Sequence, residues 1–539
     1  MSRMNSDTAV QNVVYGRIKI IQKNKNRIKK TRINDVEGEK ARLHHALEES
    51  RIQLECMHDK AVREVGESGA GIIEAHRMML EDISYIGIIE DIISEQRVNS
   101  EYAVIEATEK VAAVFSNMSD EYFRERADDV RVVSEKIIDN LLGKKEKELI
   151  WEGAKILISD DLTASELIHL GKERIRAIVL THGTNKSHVA ILAGMMGIPV
   201  VTGITVDRQK AEDDMESVLY TDSRKLILDP TQEEKNEALL EIEEYEKRRA
   251  SLMKYKGKEP VTKSGKKILL YANTAGTDET KTAVENDAQG IGLFRSEFIF
   301  LGRSKAPDEE EQFRIYRRVA EEMQGRRVII RTLDVGSDKE VSYLHMEEEY
   351  NPALGYRGIR ISLKNQDLFK TQLRALFRAS HYGRVCIMYP MIISTEELRM
   401  IRKLTDEVKA ELTEERIPFE NVEEGIMIET PAAVMISDEL AEMVDFFSIG
   451  TNDLIQYTLA LDRQNEKLEE FMDPHHPAVM RMIKMVTDHA HRAGIWCGIC
   501  GELASDLSLT KEFIDMGVDE LSVPPLRILP LKQAICEMK

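Results

Sequence analysis

Cysteine is scarce in this chain, with five among 539 residues. So few thiols cannot staple a fold of this length, which excludes a disulfide-framed scaffold and fits a reducing compartment. No run of about 18 apolar residues occurs, so no membrane-spanning helix is expected. The opening MSRMNSDTAVQNVV lacks the charged-then-apolar pattern of a signal peptide, and the sequence predicts a soluble, cytoplasmic protein. Positive charge is also short. Lys and Arg total 75 against 95 Asp and Glu, and the net charge of −20 argues against nucleic acid or an anionic membrane as the main partner. Proline is absent from residues 34–143, so nothing of that kind breaks a helical reading there.

What is present suits several packed domains. Hydrophobic residues make up 42% of the chain, enough for substantial cores, and the length predicts about three domains. VQNVVYGRIKII reads as strands interrupted by a glycine. Residues 34–143 carry apolar residues at three- and four-residue spacing, as in IIEAHRMMLEDISYIGIIEDII, which predicts an antiparallel helical bundle. That segment holds 25 acidic and 12 basic residues, a net of −13. Its acidic surface is either a solvated helical face or a docking face for a basic protein. From 150 to 228 the short runs AKILISD, AIVL, PVVTG and SVLYTD predict an α/β domain. The early strands need this sheet, so the helical segment reads as an insertion. The domains expected are therefore 1–33 with 144–230 (α/β), 34–143 (bundle), 231–260 (charged linker helix) and 261–539.

In that last region strand-like runs alternate with helical stretches about eight times: KILLYAN, GIGLF, RVIIRTLD, the stretch around ALGYRGIR, VCIMYPM, GIMIET, FFSIGTND and IWCGICGE. The pattern predicts a (β/α)8 barrel, with a doubly wound sheet as the alternative. Barrel active sites sit where strands end. There the sequence sets Arg295 and Glu297; Arg331, Asp334, Asp338 and Lys339; Arg357 and Arg360; Glu429; Thr451, Asn452 and Asp453, with Arg463 one helix on; and Cys500. Arginines bind phosphate and carboxylate in bidentate fashion. Glu429 and Asp453 can hold a hard cation through oxygen, and Mg2+ is favoured because it takes one or two carboxylates plus substrate oxygens. The substrate class this implies is a small phosphorylated carboxylate.

Cys497 and Cys500 form a C-x-x-C, but positions three apart on a strand face opposite ways and would not share a metal. Cys500 at the strand end is better placed to donate a proton. His188, in LTHGTNKSHVAILAGMMGIPVV, is either a core histidine after a turn or a nucleophile at a helix start. Ser187 can cap the helix that follows, and the exposed N–H groups there favour a phosphoryl group. His182 precedes the loop and is a weaker candidate. His475 and His476 read as part of a barrel loop.

GLFRSEFIFLGRSKAPDEEEQF, RTLDVGSDK, NPALGYRGIR, GIMIETPAAV, FSIGTNDLIQYTLALDR and CGICGELASD, in that order, resemble the barrel motifs of phosphoenolpyruvate–protein phosphotransferase, Enzyme I of the bacterial sugar phosphotransferase system. The likeness continues into EAHRMMLEDI and DEYFRERADDVRVV and covers nearly everything from residue 70 onward. It implies phosphoenolpyruvate held by Arg295, Arg331, Asn452, Asp453, Arg463 and Arg357, and Mg2+ on Glu429 and Asp453. It further implies His188 as the phosphohistidine nucleophile of a swivelling domain, and Cys500 as the donor that turns the enolate into pyruvate. An HPr-type phosphocarrier protein docking on the bundle and a homodimer through the barrel are also implied. A phosphoenolpyruvate-sensing regulatory protein is the alternative. The chain departs from the family's Gly-Gly-x-Thr-Ser-His and Ala-Arg with Gly183-Thr184-Asn185-Lys186-Ser187-His188 and Ala193-Gly194.

Overall fold

The computed structural model describes residues 12–21, 28–116, 121–144, 151–160, 162–181, 188–207, 210–301, 303, 305–337, 341–344, 346–347, 349–463 and 465–539. The side chains of 64–69, 72, 116, 121–128, 188, 191, 195, 278, 342, 466, 469 and 470 are not among them. The chain divides into two compact units, whose main segments are Gln11–Glu246 and Lys247–Lys539. Among the described residues no helix is long and apolar enough to cross a membrane.

In the first unit, β1 (Val13–Ile21) is a single nine-residue strand rather than interrupted strands. Its two halves nonetheless serve different partners. Val13–Arg17 pair antiparallel with β5 (Glu216–Tyr220), whereas Ile18–Ile21 pair parallel with β2 (Lys155–Ser159). With β3 (Ile175–Leu180), β4 (Val200–Thr202) and β6 (Lys225–Leu228) the sheet runs β4-β3-β2-β1-β5-β6. The helical segment between β1 and β2 is thus an insertion in a six-stranded sheet.

That segment forms α1 (Val36–Leu80), α2 (Ile83–Gln96), α3 (Ser100–Ser116) and α4 (Glu121–Leu141). Leu43, Ala46, Leu47, Leu54, Met57 and Ala61 bury one stripe of α1, at the spacing an amphipathic helix requires. Asp35 starts it by accepting from Gly38 N at 2.9 Å, and Asp82 caps α2 through Ser84 N at 2.8 Å. Arg42 of α1 forks onto Glu101 of α3 at 2.8 and 2.9 Å, and His76 of α1 meets Asp129 of α4 at 3.1 Å in the interior. The α1 helix also packs on α5 (Ala164–Leu170) and α6 (His188–Met195), which cover one sheet face. The charged helix after β6 is α7 (Gln232–Met253).

The second unit is a closed barrel of eight parallel strands: β7 (Leu269–Thr274), β8 (Gly290–Arg295), β9 (Arg327–Arg331), β10 (Val385–Tyr389), β11 (Glu423–Ile428), β12 (Phe446–Ile449), β13 (Trp496–Ile499) and β14 (Glu520–Val523). Eight is the number expected, but one member differs. The stretch around ALGYRGIR is no strand; it holds a short turn at Pro352–Leu354 and a helix at Ile359–Lys364 in the excursion after β9. Gly358 lies at φ 59°, outside the reach of an extended strand, and a Cβ there would stand 2.9 Å from Met391 Cγ. The eighth strand is β14, whose edges close the barrel against β13 and β7.

The barrel is packed inside as well as out. Tyr271, Leu293, Ile329, Met388, Met427 and Phe446 fill its interior. At the N-terminal ends of the strands Trp496 stacks on Phe446 at 4.6 Å and Arg327 lies over the indole at 4.7 Å. Glu423 accepts from Arg327, Arg384 and Trp496 Nε1, which completes a floor. The open end is the opposite one.

Candidate active site

Arg331 ends β9 and is 7% exposed. Its Nη2 lies 2.9 Å from Glu297 Oε1 and its Nη1 2.9 Å from Asp334 Oδ2. Asp334 also accepts from Arg357 Nη2 at 3.1 and 3.2 Å, and Arg357 Nη1 donates to the Tyr457 hydroxyl at 3.3 Å. The same Nη1 is 3.6 Å from Asp453 Oδ1. Burial alone would weaken the charge on both guanidinium groups. The carboxylates outweigh it, Glu297 and Asp334 leading for Arg331, and Asp334 and Asp453 for Arg357. Two arginines are therefore fixed as cations in a water-poor cup.

Glu429, at the end of β11, is fully buried. Its Oε1 accepts from Met391 N at 2.6 Å, and Met391 holds a left-handed backbone, φ 58°, to present that N–H. Its Oε2 has no hydrogen-bond donor among the described residues, nor has Asp453 Oδ1 on the helix Thr451–Leu459. Burial first, then the charges of Asp453 and Asp334, push the Glu429 carboxyl well above its ordinary range. Two buried acids, each with an oxygen lacking a donor, fit a hard divalent cation that takes its remaining ligands from substrate and water. Among the described residues no cluster of three or more acidic, His or Cys side chains makes a fuller metal site. Glu429→Gln is expected to weaken divalent-metal affinity at least roughly tenfold by calorimetric titration while leaving the metal-free barrel at least as stable to heat, because it removes a buried repulsion.

Cys500 follows β13, with its thiol 3.7 Å from Ile449 O and beside the Ser448 hydroxyl. Burial pushes this thiol up to about 12, so it keeps its proton at neutral pH. Cys497 faces the other way, into the shell of the barrel near Thr487 Oγ1 at 3.8 Å, so the pair does not converge. Asn452 exchanges two hydrogen bonds with Glu502, donating to Oε1 at 3.2 Å and accepting from Glu502 N at 2.9 Å. Arg295 stacks over Phe298 at 4.8 Å and buries an Nε with no hydrogen-bond partner among the described residues.

Arg463 reaches toward this cup from solvent, 41% exposed with its Nη2 3.9 Å from Asp453 Oδ1. Not every residue at a strand end joins it. Arg360 donates to Leu354 O and Gly355 O and so serves the loop. His475 pairs with Asp506 at 2.7 Å, while His476 accepts from Ala478 N at 3.2 Å and caps the helix Pro477–Ala493. Asp338, Lys339, His182, Lys186, Ser187 and the turn before His188 lie outside the described residues. The backbone of His188 is described as the first residue of α6. At Gly194 a Cβ would enter open space. Tyr457 was not singled out from the sequence, though it stands four residues after Asp453 on one helix face, a spacing that could have found it.

Family models match in three parts. The N-terminal region of PEP-utilising enzymes spans residues 8–126, their mobile domain 151–229, and their PEP-binding domain 249–539. A phosphoenolpyruvate-protein phosphotransferase of Priestia megaterium is 38% identical over 514 residues, 95% of this chain and 90% of the relative. The chain belongs to the phosphoenolpyruvate–protein phosphotransferase family. Relatives of the same description in Geobacillus stearothermophilus (40% identical, 93% and 87% covered) and Staphylococcus aureus strain MRSA252 (38%, 94% and 89%) agree. As a phosphoenolpyruvate–protein phosphotransferase it is a transferase, and the matched PEP-binding domain takes in the whole barrel with the cup around Arg331.

Proposed function

We propose that the chain phosphorylates itself on His188 from phosphoenolpyruvate, releases pyruvate, and passes the phosphoryl group to a histidine of an HPr-type carrier of the sugar phosphotransferase system. The observation that carries this reading is the buried alternation of Arg331, Asp334 and Arg357 beside two carboxylates, each with one oxygen that lacks a donor among the described residues. Arg295, Arg331, Arg357, Asn452 and Arg463 bind the phosphate and carboxylate of the substrate, and Glu429 and Asp453 hold Mg2+. That ion, when bound, neutralises charge on the phosphoryl and enolate oxygens. An imidazole nitrogen of His188 attacks phosphorus, and the P–O bond to the enolate breaks. The fixed guanidinium groups stabilise the charge spread over the transferring group. The S–H of Cys500 then protonates C3 of the enolate.

In this reading residues 1–33 with 144–230 form the phosphohistidine domain, 231–260 the linker and 261–539 the barrel, which also mediates homodimerisation. The acidic bundle of 34–143 receives a basic carrier by charge complementarity. A cytoplasmic location follows from the carrier it serves. The test is labelled phosphoenolpyruvate with Mg2+. An acid-labile, base-stable phosphoprotein that vanishes in His188→Ala is expected, and tight binding without labelling overturns the reading.

A further inference from the structure

Asp453 presents an oxygen that two arginines approach and neither grips. Its Oδ1 is 3.6 Å from Arg357 Nη1 and 3.9 Å from Arg463 Nη2, yet it has no hydrogen-bond partner among the described residues. In a water-poor cup a guanidinium is expected to close on such an oxygen, since charge-assisted pairs settle at about 2.7–2.9 Å. Something restrains both cations.

The restraint comes from the helix that carries Asp453 itself. Four residues further along Thr451–Leu459, on the same face, the Tyr457 hydroxyl accepts from Arg357 Nη1 at 3.3 Å. That hydroxyl donates its own proton to Ala353 O, which leaves its lone pairs for the guanidinium. At the other end of the guanidinium, Nη2 is forked onto Asp334 at 3.1 and 3.2 Å. Burial pushes the phenol up to about 12, so it is a neutral acceptor at neutral pH. Arg357 Nη1 thus donates to an uncharged hydroxyl while a carboxylate oxygen stands within reach. Gln456, the residue before, restrains the second arginine: its Oε1 accepts from Arg463 N at 3.1 Å and fixes where that side chain starts.

We propose that Tyr457 is a positioning residue for the metal site, keeping Arg357 Nη1 off Asp453 Oδ1 and so leaving that oxygen to the divalent ion. This rests on Glu429 and Asp453 holding the ion. An N–H donor and a metal compete for the same lone pairs on a carboxylate oxygen. Without the hydroxyl, Arg357 Nη1 is free to take Asp453 Oδ1, and the ion loses a ligand to an internal ion pair. Tyr457 also lies 3.9 Å from Met391 Sδ, and Met391 N holds Glu429, so the arginine route has to be told apart from that one.

Mn2+, which takes the same hard oxygen donors, is titrated into the metal-free full-length protein, and the unbound ion is counted by its electron paramagnetic resonance signal. Tyr457→Phe, which deletes only the hydroxyl, is expected to weaken Mn2+ binding roughly tenfold. The same change made on an Arg357→Gln background is expected to cost less than about twofold, because no guanidinium is left to close. A crystal structure of metal-free Tyr457→Phe is expected to show Arg357 Nη1 within about 3 Å of Asp453 Oδ1. Unchanged affinity in Tyr457→Phe overturns the proposal. So does an equal loss with and without Arg357, the mark of the Met391 route or of damaged packing. A gap that stays at 3.6 Å in Tyr457→Phe overturns it too, and that measurement decides alone if Arg357→Gln does not fold. Asp453→Asn checks the site itself. If Mn2+ binding survives Asp453→Asn, the metal assignment fails and the role of Tyr457 falls with it; a loss in Asp453→Asn but not in Tyr457→Phe refutes the role of Tyr457 alone.

Discussion

Cys500→Ala is expected to slow pyruvate formation roughly 10²–10⁴-fold, the usual worth of a positioned general acid, while phosphoenolpyruvate binding measured with Mg2+ by calorimetry stays within about threefold. The asymmetry follows from where the thiol sits. It lies in the barrel interior against Ile449 O and Ser448, and it forms no part of the Arg331–Asp334–Arg357 alternation that would grip the substrate. Its shift to about 12 also means that it holds its proton across the neutral range, so the wild-type rate should show no alkaline limb from this group below about pH 10. Comparable losses of binding and rate would show instead that the thiol holds the substrate.

Arg331→Met should be the most damaging single change in the cup. It removes one charge and takes the cation from Glu297, 3% exposed, while Asp334 keeps Arg357. Breaking a buried ion pair by deleting one partner costs about 3–5 kcal/mol, which for a unit of this size lowers the melting temperature by roughly 10 °C. Phosphoenolpyruvate-dependent labelling should be lost as well. Adding Glu297→Gln to Arg331→Met removes the stranded charge and should recover part of the stability but none of the labelling. Differential scanning calorimetry of the three proteins decides it. A melting temperature unchanged in Arg331→Met would overturn the claim that these ion pairs hold the cup together.

Much of the barrel and its cup was legible because both obey short rules. Alternating strand and helix signals gave eight repeats, and charged residues placed after GIGLF, VII and GIMI met where such barrels open. What escaped the sequence escaped for physical reasons. ALGYRGIR has the apolar and aromatic residues of a strand, yet Gly358 turns left-handed against Met391, a contact visible only in three dimensions. The true eighth strand, ELSV, is four residues long and opens on a glutamate. Glutamate is unfavourable in a strand, and only closure of the barrel and two facing glycines make room for it. Arg360 carries the right chemistry at the right spacing, and loop geometry sends it to backbone carbonyls.

The divided allegiance of β1 bears on how this chain is born. The strand is made well before its antiparallel partner, which lies roughly 200 residues downstream. At synthesis rates of about 5–20 residues per second, that separation is a wait of roughly 10–40 s with a bare, apolar edge exposed. The four helices made in the interval have mostly local contacts and can fold on emergence. An early-formed helical body, one end of which carries β1, would hold that edge beside the point where β2 must arrive, and shield it from pairing with another nascent copy.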